Sequence, residues 1–418
     1  MDSDTIAPTL LEFCRRLPKI ELHAHLNGSL SRDTLIQLID LKAKLNYDPQ
    51  FEPQQAHTIL SKWKPCNLND GFKLFSLIHT VTDSYEAITT ATCNVIREFA
   101  DENVRYLEIR STPRAGIYMG PDVQRNGTKL DYLNAIGDGI TMIANQKCNP
   151  NLDGTSQNEN EDAALSRNNC SQILVHVIVS IDRRKSLAEA WENLDAALAA
   201  RQGLSHGVPI VGLELSGDPS VGDARSFMPV LRKARDLGLK IGAHLAEIPG
   251  YCDEISAYIL DPNGELGGSV DRIGHGTYLV ADASNDTVRQ IASKSWIETI
   301  VQRCIPLELC LSSNVICRTV DSYCDHHLRV WLQYVQNRRN PGSSPQMESP
   351  PPVVICTDDK GVFDTNLSRE YALAAFNFEL TESALWDIAF GAIEACWCDE
   401  ADKRRLRGAF NSVRKTIE

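Results

Sequence analysis

In the stretch KIELHAHLNGS, from Lys19 to Ser29, the residues Ile20, Leu22, Ala24 and Leu26 alternate with Glu21, His23, His25 and Asn27. That period of two predicts a half-buried β-strand carrying two imidazoles on one face. Seven further runs rich in branched aliphatic residues follow: VRYLEIRSTP from Val104, ILVHVIVSID from Ile173, VPIVGLELSGD from Val208, LKIGAHLAE from Leu239, VDRIGHGTYL from Val270, IPLELCLSSN from Ile305 and PVVICTDD from Pro352. Each interval leaves room for a crossover helix, the mark of parallel strands in βα units. Eight such units close a barrel, so the expected fold class is α/β, a (β/α)8 TIM-type barrel with extra helices.

Most of these runs finish on polar groups, among them His-Ala-His, Arg-Ser-Thr, Ser-Gly-Asp, His-Gly-Thr and Thr-Asp-Asp. Strand ends of such a barrel converge on one mouth, where catalytic groups sit. Two polar, turn-rich segments, Asn145 to Gln172 and Asn337 to Pro352, break the pattern and are expected to be surface insertions, because the strand series resumes after each. Leu385, Ile388, Ala389, Ala392 and Ile393 recur at helical spacing, so packed helices should close the chain, with Cys396, Trp397 and Cys398 on one of them. Residues 1–418 read as one domain.

Composition narrows the partners. The net charge of -13 opposes non-specific binding to nucleic acid polymers and anionic membranes. Thirteen cysteines, without CxxC pairs, suit a reducing compartment. The N-terminal MDSDTIAPTLLEFCRRLPK lacks the form of a secretion signal, and no apolar run reaches membrane-spanning length. A cytosolic location is expected, and a monomer, since nothing demands a partner chain.

Two imidazoles on a buried strand need something to satisfy their nitrogens. Spacing of two sets His23 and His25 side by side, suited to grip one cation or to be held by hydrogen bonds. His244 ends KIGAH and Asp358 ends VVICTD, an apolar run where an unpaired carboxylate would cost several kcal/mol. Three imidazoles and a carboxylate suit zinc or a similar divalent ion. Glu247 is then a general-acid candidate and His275 an extra base. His326 and His327 read as a helix start or loop without a metal role, His176 as packed or paired in the core, and His57 and His206 as exposed. Of Asp182, Arg183 and Arg184, a solvated strand end, only Asp182 is a candidate contact.

LPKIELHAHLNGS, GLELSGDP, HLAEIP, RIGHGTYL, PLELCLSSN and VICTDDKGVF, in this order from Leu17 to about Trp397, resemble the adenosine deaminase superfamily of metal-dependent hydrolases, most closely its N6-methyl-AMP deaminase branch. The resemblance implies one Zn2+ per chain on His23, His25, His244 and Asp358. It implies Glu247 as proton donor, and His275 with Asp358 acting on the attacking water. Gly217 would let its backbone approach a purine and Asp359 would hydrogen-bond the base. His25, Asn27, His79, Ser111, Thr112, Pro113, Arg114 and Asp182 would be further contacts to a small-molecule purine nucleotide.

The PCxxC zinc signature of cytidine and base-editing deaminases is absent from the sequence. Asn27 stands where adenosine deaminases usually carry Asp; the change removes a negative charge and supplies a donor to a 5′-phosphate. TDDKGVF likewise departs from the Asp-Asp-Pro common in adenosine and adenine deaminases, and the bulkier Leu245 stands in a motif that usually reads His-Ala-Gly-Glu. The implied activity is hydrolysis of a 6-amino or 6-alkylamino purine nucleotide, N6-methyl-AMP to IMP and methylamine foremost. Adenosine or adenine deamination is the alternative. A catalytically silent nucleotide-binding relative and a non-deaminating metal hydrolase are alternatives of other classes.

Overall fold

The computed structural model describes residues 6–64, 68–146, 173–203, 207–280, 287–338 and 352–417. Eight strands lie in sequence order in one sheet: β1 (Lys19–His25), β2 (Val104–Ser111), β3 (Leu174–Asp182), β4 (Ile210–Ser216), β5 (Lys240–Leu245), β6 (Arg272–His275), β7 (Leu307–Leu309) and β8 (Val353–Ile355). Every adjacent pair is parallel, and helices run between the strands, so the predicted (β/α)8 barrel is the fold. The seam between β8 and β1 closes just past β8. Asp358 N–H donates to His23 O at 2.8 Å, and His25 N–H donates to Asp358 O at 3.2 Å. Closure thus sets Asp358 beside both β1 histidines.

β1 is not half-buried. All of it is buried except His25, which is intermediate, because one face looks into the barrel and the other packs on helices. Two further expectations give way. The LSSN of the seventh run is no strand end but the start of a helix, Leu311–Ile316, whose free Ser312 N–H is satisfied by Glu370 Oε2 at 3.0 Å. Trp397 is not on a helix: the 3-10 turn Ala392–Ala395 ends at an extended Cys396. Its ring stacks at 3.8 Å on the Arg272 guanidinium and crowds Gly212, where a Cβ has no room. The indole therefore closes the floor of the barrel.

The helices Lys129–Gln146 and Leu328–Arg338 extend two residues into the expected insertions. Nearly all the rest of both insertions, and His206, lie outside the described residues. No described helix is long and apolar enough to cross a membrane.

Candidate active site

His23, His25, His244 and Asp358 each aim one donor atom at a common point, all within 4.8 Å of one another. His244 Nε2 lies 3.1 Å from His23 Nε2 and 3.2 Å from His25 Nε2. Asp358 Oδ1 lies 3.5 Å and 3.3 Å from the same two nitrogens. Metal–ligand bonds of about 2.0–2.2 Å put neighbouring ligand atoms roughly 3–3.5 Å apart, so the donor set fits a zinc-sized divalent cation. Burial holds His25 down to about 3 and His244 well below the usual imidazole range, leaving their lone pairs free. Burial opposes ionisation of Asp358 too, yet the hydrogen bond and charge of His23, with the other imidazoles, keep it well below the usual carboxylate range.

Strain marks the same strand ends. Ala246, His275 and Asp358 have φ of 52°, 61° and 61°, in the left-handed region that costs side-chain-bearing residues about 1–3 kcal/mol each.

Beneath the cluster the barrel interior is ionic. His23 Nδ1 meets Glu308 Oε2 at 2.5 Å, and Arg110 joins Glu308 at 2.9 Å and Glu214 at 2.5 Å. Arg272 bridges Glu308 to Glu108, whose Oε1 accepts from Trp397 N–H at 2.8 Å. Burial and Arg110 oppose protonation of His23, but Glu308 and Asp358 prevail and lift it to about 9. Three carboxylates and two guanidiniums thus form one paired layer under the cluster. None of these five residues was singled out from the sequence; the available signal was an ionisable residue inside each apolar strand.

Beside the cluster, His275 Nε2 lies 3.9 Å from Glu247 Oε1 and 3.9 Å from Asp358 Oδ2, which also accepts from Ser313 Oγ at 2.7 Å. Partial burial, aided by the Asp358 charge, outweighs the opposing effect of His275 and raises the Glu247 pKa, which favours its protonated form. His326 and His327 stand just before the helix Leu328–Arg338, as expected of a helix start or loop, but are buried behind His275. Glu247, His275 and Asp358 can together hold a water and a proton donor at one spot, the makings of hydrolysis.

The expected substrate contacts fall into groups. Burial and the Asp358 charge push Asp359 well above the usual carboxylate range, and Gly28 packs so closely that a Cβ there would overlap Asp359 Oδ1. Gly217, at φ +95°, abuts Asp182, whose carboxylate Arg184 grips through Nε at 2.8 Å and Nη2 at 2.6 Å. Arg183, read as solvated, is instead buried and paired with Glu254 at 2.9 Å. Arg114 donates to His79 O at 3.3 Å and to Thr82 O at 2.9 Å, and the His79 residue itself is exposed. Asn27 is half-buried in the turn after β1. Pro113 is buried and Thr112 half-buried, while the Ser111 hydroxyl lies 2.9 Å from Tyr132 OH, on a crossover helix.

Comparison with known proteins agrees along the whole chain. The adenosine deaminase family model matches residues 18–413. The human N6-methyl-AMP deaminase is 36% identical over 418 residues, covering 100% of this chain and 99% of that protein. Crystal structures of the arabidopsis protein ADAL align at 31% identity, covering 96% of this chain and 98% of theirs. One is complexed with GMP (TM-score 0.71) and another with IMP (TM-score 0.70).

Proposed function

Since the chain belongs to the adenosine deaminase family, we propose that it is a zinc-dependent aminohydrolase converting N6-methyl-AMP to IMP and methylamine. The observation that carries this reading is Glu247, a carboxyl disposed by burial to keep its proton, placed with His275 beside the His23, His25, His244 and Asp358 donors. Zinc on those four donors supplies the Lewis acidity that makes water nucleophilic near neutral pH.

The chain's own residues do the rest. Asp359, kept protonated, offers a hydrogen bond to a ring nitrogen, and Gly217 lets backbone approach the purine. The attacking water gives one proton to Asp358 Oδ2 as its oxygen bonds to C6. The C6–N1 π pair moves onto N1, which takes the Glu247 proton. On collapse the C6 hydroxyl returns a proton to Glu247, and the departing methylamine takes the one held by Asp358. Water is consumed and both carboxyl groups are restored.

The human relative's name and the nucleotides in the arabidopsis structures support a monophosphate. So does Asn27, an amide that can donate to phosphate oxygens, with Arg114 near His79 as a cation for the same group. We read the protein as a cytosolic monomer of one domain: all the donors come from one chain, and no disulfide joins the described cysteines. The deciding experiment compares N6-methyl-AMP, AMP, N6-methyladenosine, adenosine and adenine, with detection of methylamine or ammonia. Fastest turnover of N6-methyl-AMP is expected; turnover of adenosine without that of any monophosphate would overturn the reading.

A further inference from the structure

A chain of four groups ends on His275, and its polarity is fixed from the far end. The backbone N–H of Leu328 can only donate, and it meets His326 Nδ1 at 3.1 Å. That nitrogen must carry the lone pair. Burial holds the His326 pKa well below its usual range, so its single proton sits on Nε2, 2.9 Å from Asn314. Asn314 must turn its carbonyl oxygen to that N–H, which leaves its amide hydrogens for His275 Nδ1 at 3.3 Å. His275 Nδ1 accepts, and its proton lies on Nε2, the nitrogen facing Glu247 and Asp358.

The opposite arrangement is costly. A proton on His275 Nδ1 would face the Asn314 amide donor to donor, and each buried donor left unsatisfied costs about 1–3 kcal/mol. His275 and Asn314 are each 1% exposed, so no solvent can relieve the clash. His327, stacked on His326 with ring centroids 4.2 Å apart, donates Nε2–H to the His275 carbonyl at 2.9 Å and so clamps the left-handed backbone there.

We propose that Asn314 and His326 are positioning residues that lock His275 in its Nε2–H tautomer, so that His275 meets the attacking oxygen as a hydrogen-bond donor and Asp358 takes the proton. His275 thus presents an N–H and not a lone pair to the water, contrary to the base role the sequence suggested. The kinetic part rests on the deaminase reading; the tautomer does not.

The test uses metal-loaded enzyme labelled with 15N-histidine, in which a protonated ring nitrogen is distinguished from a bare one by chemical shift. The His275 signals are assigned by their loss in His275→Asn. Wild type and His326→Gln, which keeps an N–H towards Asn314, should both show His275 protonated on Nε2. Asn314→Asp is nearly isosteric but can only accept, so it should move the proton to Nδ1. It should also lower kcat by about 10²-fold or more, with KM changed by less than about threefold. Wild-type His275 protonated on Nδ1 overturns the proposal even if no variant folds. So does Asn314→Asp with an unmoved proton or wild-type kcat. Absence of turnover in the wild type would sink the deaminase reading and leave the tautomer measurement standing.

Discussion

His23 is gripped from behind: its Nδ1 lies 2.5 Å from Glu308 Oε2, while its Nε2 looks into the donor cluster. Glu308 is itself held by Arg110 at 2.9 Å and by Arg272, and this setting keeps it ionised, well below the usual carboxylate range despite its burial. The imidazole therefore has its ring orientation set before any cation arrives, with Glu308 holding the Nδ1 proton while a metal would displace the one on Nε2.

Glu308→Gln should weaken zinc binding by about 10–100-fold, the usual cost of losing the outer partner of a ligating histidine. Competition with a chromophoric chelator measures it directly. An affinity equal to wild type would mean that the carboxylate serves only the two arginines.

Glu247→Gln should lower kcat by about 10²–10⁴-fold with little change in KM, since the amide keeps the shape and loses the proton. The sign of the pH effect follows from burial. Glu247 works in its protonated form, and its pKa is raised, so kcat/KM should hold on the acid side of that value and fall as pH rises through it. A wild-type profile without an alkaline limb, or a variant of full activity, would remove Glu247 from the role.

The barrel and the four donors could be read from the chain because both rest on local pattern. β1 alternates with period two, and His244 and Asp358 end apolar runs. What escaped depends on how distant elements meet. Glu108, Arg110 and Glu308 look like defects in hydrophobic strands until closure brings them together as one ionic layer. His326 and His327 sit in a polar stretch of sequence, and only packing against Asn314 and His275 buries them. Trp397 pairs with Gly212 across a long stretch of chain, a match between a large ring and a missing side chain that no periodicity reports.

Gly28→Ala should cripple the enzyme without touching a donor of the metal cluster. The added methyl would overlap Asp359 Oδ1, and Gly28 O also accepts from Gly361 N–H at 2.9 Å, so the loop after β8 cannot simply step aside. A displacement on the order of 1 Å at a group that orients substrate lowers kcat/KM by about 10²-fold. Kinetics on N6-methyl-AMP together with metal analysis check the point: zinc content should stay at wild-type level while kcat/KM drops. Wild-type kinetics would show that Asp359 does not hold the base.

His327 should make a measurable difference to acid stability. Burial and the nearby His275 lower its pKa to about 4, against the opposing pull of the hydrogen bond to the His275 carbonyl, whereas an unfolded histidine titrates near 6.5. Between these values the unfolded chain takes up a proton that the folded one refuses, so this residue removes stability as pH falls, by up to about 1.4 kcal/mol per pH unit. Glu247 and Asp359, with raised pKa values, pull the other way, because the folded state protonates them first. The total slope is therefore no test; the difference between two proteins is. His327→Gln keeps an N–H for the His275 carbonyl and cannot titrate. Urea unfolding of chelator-treated wild type and variant, from about pH 7 to about pH 5, should show the wild type losing ground steadily to the variant below about pH 6.5. Parallel stability curves would mean that His327 takes up its proton as readily in the folded protein as in the unfolded chain.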